Sequence, residues 1–438
     1  MDDHAYPAAV IGTIVNPAGL TLAKVVPASR VRNFADPGLG ASSTWHGFAI
    51  DRAGIAFTDA ISVIGDERLR IDLHALRSID DGLGWAPASF FDQDGTPVPA
   101  CSRGTLGRIE SRLEQAGLEA LVGHEIEFQL VDPTGSRIPG ELWAQYGLAG
   151  VLEHEGFVRD VLAAMNDAGV GIEQFHPEYG VNQFEMSLTP KAPVAAADEL
   201  ILARILLSRV ARAHGLRLTL SPVPFAGSVG CGAHQHFSLR RDGRPVFSGG
   251  TGAHRMTADG AAAIAGILAG LAEAQLVLCG SIVSGLRMQP GNWAGAHACW
   301  GTENREAAVR FLRATHGNPR GANVEVKVTD PSANPYFATA AILGLALDGI
   351  ERKAELPTEI TVDPRALTEE EKSAAGVVQL PDNQADAIAA LDGSPRMRSL
   401  LGDPAVDALV AVRRYELDTY AHLDPQDLTD KFRMAWSI

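Results

Sequence analysis

Cysteine is scarce in this 438-residue chain, with four in all. Cys101, Cys231, Cys279 and Cys299 form no C-x-x-C pair, which excludes a zinc ribbon and a dithiol redox motif. So few in so long a chain read as reduced thiols, the usage of a cytosolic protein. Basic charge is short too. Only 37 Lys and Arg face 53 Asp and Glu, a formal charge of −16. Phosphate backbones need a basic footprint, so nucleic acid is excluded as the main partner. The start, MDDHAYPAAVIG, has no basic segment before an apolar core, so no secretory signal is expected. Long apolar runs are also few. The most apolar, residues 261–286, is broken by Glu273 and Gln275 and is rich in Gly and Ala. A buried helix is expected there, and no membrane span.

What is present is a soluble globular composition, 46% hydrophobic and 21% charged, in a chain long enough for an ample core. Short alternating runs at Val10–Val15, Leu20–Val26, Gly47–Ile50 and Leu69–Leu73 predict strands. Pro- and Asp-rich turns are expected over Trp85–Pro99. Helical spacing then appears in Thr105–Ala116, Phe157–Ala168, Pro193–His214, Ala258–Leu278 and about Pro335–Lys353, with strands between. The organisation predicted is a small β-rich domain, residues 1–103, and a larger α+β domain, residues 104–438.

Four strand-like segments place polar side chains on one face of an otherwise apolar ribbon, because side chains alternate along a strand. In LVGHEIEFQL, Glu125 and Glu127 oppose Ile126 and Phe128. In NQFEMSL, Gln183, Glu185 and Ser187 oppose Phe184, Met186 and Leu188. In AHQHFSL, His234, His236 and Ser238 oppose Phe237 and Leu239. In NVEVKVT, Glu325 and Lys327 oppose three valines. Glu178 sits at the turn before the second segment. Each pattern alone also fits a solvated strand face or a structural hydrogen-bonded pair. Together they point to a site, since buried carboxylates repel unless divalent cations hold them. Oxygen-rich ligands favour Mg²⁺ or Mn²⁺ over zinc.

A second constellation is basic: Arg287, Arg305, Arg310, Arg313, Arg320 and Lys327. A charged outer face is the ordinary reading of such a run. Beside a carboxylate–metal cluster, however, guanidinium groups suit an anionic, phosphate-bearing substrate.

The order E-x-E, E-x(6)-E, G-x-H-x-H-x-S, a Pro-Gly loop with arginine, N-R-x(4)-R and V-E-V-K-V-x-D-P-S-A-N-P-Y resembles glutamine synthetase. The resemblance is strong over about residues 104–350 and weak before them. It implies a small N-terminal β-grasp domain and a catalytic domain with a curved antiparallel sheet. It also implies a homo-oligomer, a dodecamer of two hexameric rings, with each site completed by the neighbour's small domain. By the same resemblance, Glu127, Glu178 and Glu185 would hold one metal, and Glu125, His234 and Glu325 the other. Arg287 and Gly230 would bind glutamate. His236, Ser238, Arg305 and Arg310 would meet ATP, and Arg305, Arg310 and Lys327 the transferring phosphoryl group. Lys327 stands where the family usually has arginine, keeping the charge without the bidentate fork.

The departures carry the substrate expectation. Ammonia-using members hold ammonium between an Asp in D-G-S-S and a Glu in P-G-Y-E-A-P. Here the loops read Trp45-His46-Gly47-Phe48-Ala49 and Pro290-Gly291-Asn292-Trp293-Ala294-Gly295. His46 and Trp293 replace the two carboxylates and are expected to face the amine. Ammonium needs anions, whereas an indole offers a π face and apolar area. The expected activity is ATP-dependent ligation of a small organic amine to the γ-carboxylate of glutamate in the cytoplasm. Ammonia ligation, an inactive or regulatory homologue, and a metal-dependent hydrolase of the amidohydrolase type remain as alternatives.

Overall fold

The computed structural model describes residues 6–438; the first five residues of the acidic start lie outside the described residues. The N-terminal sheet contains β1 (Ala9–Val15), β2 (Thr21–Pro27), β3 (Leu39–Ser42), β4 (Asp66–Ile71), β5 (Arg77–Asp80) and β6 (Leu83–Phe91). Its order is β2-β1-β6-β4-β3, with β5 also on β6. Only β1 and β6 run parallel. Val10, Ile14, Phe34, Leu69, Ile71 and Phe90 fill the core between this sheet and the short helix Val31–Ala35.

Two expectations fail in this region. Gly47–Ile50 is not a strand: Ser43–Gly47 is a 3₁₀ turn, capped by the Ser42 hydroxyl accepting from the Thr44 N–H. Only a single bridge follows, Phe48 to Ile55, because the Asp51 carboxylate accepts the Ala53 and Gly54 N–H groups and turns the chain. Trp85–Pro99 is not all turn either, since its first half belongs to β6. Pro87 is tolerated because it sits where β6 passes from β1 to β4, so its missing N–H breaks no continuous ladder.

The second sheet has ten strands. They are β7 (Leu118–Val131), β8 (Ile172–Pro177), β9 (Gln183–Leu188), β10 (Arg217–Thr219), β11 (Gln235–Arg241), β12 (Arg244–Pro245), β13 (His297–Thr302), β14 (Ala307–Leu312), β15 (Asn323–Val326) and β16 (Val378–Gln379). The order is β16-β13-β14-β15-β11-β7-β9-β8. All pairs are antiparallel except β13 with β14. The helix Ser102–Gln115 leads into this sheet, and the expected boundary after residue 103 falls in its first turn.

Helices Pro193–Ala213, Ala258–Cys279 and Pro335–Arg352 pack with the sheet into one large core. Helix Ala258–Cys279 is apolar enough and long enough to cross a membrane, yet it lies mostly buried inside the protein. It crosses Pro335–Arg352 at a glycine contact: a Cβ on Gly266 would fall 2.6 Å from the Gly349 Cα. Register decides the rest. It sets Glu127 opposite Glu185, His236 opposite both Gly123 and Glu325, and Arg310 opposite Glu325. A slip of one residue would turn each of these side chains to the other face.

Candidate active site

Because of that register, one cavity of 1060 Å³ gathers Glu125, Glu127, Glu178, Glu185, His234, His236 and Glu325. Ligand atoms of Glu125, His234 and Glu325 lie within 4.8 Å of one another, as do those of Glu127, Glu185 and His234. Glu178 groups with Glu185 through His176, whose Nε2 stands 3.1 Å from Glu178 and 3.7 Å from Glu185. So Glu185 joins two clusters, and Glu127 and Glu178 do not close one triad between them.

The electrostatics show a cluster made for cations. Burial, then the charges of Glu125, Glu127, Glu178 and Glu325, hold the Glu185 carboxyl well above its ordinary range. Burial also opposes ionisation of Glu325, but Lys327, His236 and His234 outweigh it and lower its pKa to about 2. Glu125 is likewise lowered against its burial, by hydrogen bonds from His234 and His236. Burial disfavours the His236 cation, yet Glu125 and Glu325 raise its pKa to about 9. Carboxylates crowded enough to raise the pKa of one member fit a divalent cation, which would relieve their mutual repulsion.

The cationic side chains surround this cluster. Arg310 donates to Glu325 Oε2 at 3.0 Å and to Glu303 Oε2 at 3.1 Å. Lys327 Nζ donates to Glu325 Oε1 at 3.2 Å. Arg287 is buried and donates to the carbonyls of Val328 and Lys327, with Nη2 3.2 Å from His234 Nε2. Gly230 lies against it, where a Cβ would come 3.0 Å from the Arg287 Cγ. Arg305 is exposed at the cavity wall. Gln183, whose role sequence reasoning left unassigned, locks the floor. Its Nε2 donates to Glu127 Oε2 and to the Gly230 carbonyl, at 3.0 Å and 2.9 Å.

Ser238 lies elsewhere, and His46 is expected at a neighbouring subunit's site. Ser238 lines a separate cavity of 270 Å³ with Glu119, Leu121, Pro193 and Arg240, because it is two residues further along β11 than His236. His46 does not line the cavity within its own chain. Its Nε2 is 3.0 Å from Glu67 Oε2 and its ring packs on Phe90, with centroids 4.5 Å apart.

Beside Glu178 the wall is aromatic. Trp293, 41% exposed, meets Tyr179 edge-on at 5.0 Å. Tyr179 meets Tyr146 edge-on at 5.9 Å, and Tyr146 stacks on His176 at 5.3 Å. Burial and Glu178 raise the Tyr146 phenol above its ordinary range, so it stays protonated. Tyr146, Tyr179 and His176 escaped the sequence reading. His176 and Tyr179 flank Glu178 in HPEY, which was a signal of a kind. Tyr146 lies in an irregular loop with no periodicity to mark it.

Residues 99–429 match the family described as glutamine synthetase, catalytic domain. The chain belongs to the glutamine synthetase family. It is 37% identical to gamma-glutamylpolyamine synthetase GlnA3 of Streptomyces coelicolor over 98% of this chain and 93% of that protein. It is 31% identical to a glutamine synthetase of Pyrococcus abyssi, over 75% of this chain and 74% of that one. Among solved structures, a novel glutamine synthase homolog superimposes with a TM-score of 0.87 at 28% identity, covering 100% of both chains. A GmaS/ADP complex superimposes with a TM-score of 0.85 at 26% identity, over 96% of this chain and 95% of that one. The β-grasp and curved-sheet fold read from the sequence is thereby established for this glutamine synthetase homologue. Its family uses ATP and a divalent metal, and the buried Glu and His donors suit such an ion.

Proposed function

We propose that this glutamine synthetase homologue is an ATP-dependent ligase joining an organic amine to the γ-carboxylate of L-glutamate. The observation that carries this is the Trp293–Tyr179–Tyr146 wall, which lines the same cavity as the carboxylate cluster and adjoins it at Glu178. Apolar rings there favour a substrate with a carbon chain, and their π faces also attract a second ammonium group. The polyamine named for the Streptomyces coelicolor relative supports a diamine or polyamine as the first candidate.

Glu125, His234 and Glu325, and Glu127, Glu178 and Glu185, would hold Mg²⁺ or Mn²⁺. When bound, the ions would screen repulsion between phosphate oxygens and the acceptor carboxylate. Arg287 and Gly230 would orient glutamate. Arg305, Arg310 and His236 would hold the ATP phosphates, with Lys327 beside the transferring group. A γ-carboxylate oxygen attacks the γ-phosphorus of ATP, and ADP leaves. The amine nitrogen then attacks the carbonyl of γ-glutamyl phosphate. Phosphate leaves with the C–O electron pair, and the nitrogen sheds a proton to give the amide.

The assembly belongs to the same proposal: a homo-oligomer, a dodecamer of two hexameric rings, in the cytoplasm. Phe57, Val63 and Ile64 are exposed on the loop before β4, and Leu142, Leu148 and Leu152 are exposed around the segment bearing Tyr146. Apolar surface of this kind marks subunit contacts. Since His46 is turned onto Glu67, that loop, and not the imidazole, is the part of the small domain offered to a neighbour. Coupled ADP release with glutamate and a panel of amines tests the activity. Turnover with ammonium at least as efficient as with every primary amine would overturn it. Light scattering tests the assembly, and a fully active monomer would rule it out.

A further inference from the structure

The loop that carries Trp293 is held at three points. At one end Gly291, φ +93°, lies under Arg365, where a Cβ would come 2.4 Å from Nη1. At the other end Gly295, φ +72°, is pressed onto the sheet, where a Cβ would fall 2.9 Å from the Ala308 Cα and 3.1 Å from the Lys327 Cβ. Between them Trp293 itself has φ +54°. That left-handed conformation is strained for a non-glycine residue, so something must hold it.

The Trp293 N–H donates to Glu306 Oε1 at 3.3 Å. Glu306 is 6% exposed, lies just ahead of β14, and is no part of the cavity wall. Its Oε2 has no hydrogen-bond partner among the described residues. The Arg365 guanidinium, held mainly by Asp363, also feels the Glu306 charge. A buried carboxylate with one oxygen unpaired is a costly feature. Nothing in phosphoryl transfer uses it. Its one hydrogen bond to a loop N–H outside its own neighbourhood ends on the residue that replaces the ammonium-binding carboxylate.

We infer that Glu306 is a positioning residue for amine selection. By accepting from the Trp293 N–H it fixes the loop, so that the indole stands against Tyr179 as a preset wall for the carbon chain of the amine. The role rests on the amine-ligase reading above. It acts through Trp293 and touches no reacting atom.

Glu306→Ala and Glu306→Gln test it, each followed by hydrogen exchange of residues 289–296 and by KM for 1,4-diaminobutane, glutamate and ATP. Loss of a charge-assisted hydrogen bond predicts about a tenfold rise in the diamine KM for Glu306→Ala. Glutamate and ATP KM should stay within about twofold, and loop exchange should speed up. Glu306→Gln keeps an acceptor oxygen and should return the diamine KM to within about threefold of the unmodified enzyme. If Glu306→Ala does not fold, Trp293→Gly keeps the backbone conformation without the indole and should show the same selective diamine defect. A parallel rise in all three KM values overturns the inference, and so does an unchanged diamine KM. Unchanged exchange at 289–296 overturns the clamp alone. No ADP release from the unmodified enzyme with any amine overturns the ligase reading itself.

Discussion

The two walls of the cavity are built by opposite means. The carboxylate wall stands on β7, β9, β11 and β15 and on the turn after β8, and its side chains are buried or half-buried and cross-linked. Glu127 alone accepts from Gln183 and from the Gly232 N–H. The aromatic wall is carried by irregular segments. Tyr146 and Trp293 both have positive φ, and both side chains are substantially exposed. On the proposed function, sheet register holds the groups that would meet phosphate and metal. Loops carry the groups proposed to distinguish one amine from another, and they can change without disturbing the ladder.

Breaking the carboxylate wall should have the largest effect. Glu127→Ala removes a proposed metal donor and the acceptor of two hydrogen bonds, and ADP release should fall by at least about 100-fold with every amine. Retention of a tenth of the activity would show that Glu127 is not a ligand. Changing the aromatic wall should alter selectivity more than rate. Trp293→Glu restores an anion and removes the indole. The ratio of ammonium to diamine kcat/KM should rise by roughly tenfold, equal to about 1.4 kcal/mol. A fall in that ratio would count against the aromatic wall as the selector.

A smaller effect separates the walls by pH. In metal-free protein Glu185 is held above its unfolded value of 4.5, and His236 is raised from 6.5 to about 9. Both bind protons more tightly folded than unfolded. Their stabilisation is therefore full below the unfolded pKa and lost as pH rises through the folded one. Glu125 and Glu325 have the reverse sign, but their loss lies on the acid side. Between pH 6.5 and 9, calorimetry should show the metal-free melting temperature falling by on the order of a few degrees, with excess Mg²⁺ flattening the slope. A slope unchanged by Mg²⁺ would separate the titration from the metal site. The smallest effect is expected at Ser238, outside the main cavity. Ser238→Ala should leave kcat/KM within about twofold, and a tenfold loss would join the two cavities into one nucleotide site.

The sequence alone was enough to mark the carboxylate wall. A strand alternates with period two, so Glu125 and Glu127 had to share a face, as did His234 with His236 and Glu325 with Lys327. The long helices were legible because apolar spacing repeats and glycine marks their ends, as at Gly117, Gly169 and Gly215. Only the tertiary structure decided which strands lie side by side, and hence that Arg310 bonds Glu325 and that Gln183 reaches across to Gly230. It alone turned His46 inward onto Glu67, moved Ser238 to another cavity, and drew part of Trp85–Pro99 into β6. It also set Tyr146, Tyr179 and Trp293 against one another from three separate segments. The physical reason is range. Periodicity and capping are local interactions that the chain carries in its order, whereas partner choice between distant strands and the course of irregular loops follow from burial and packing of the whole.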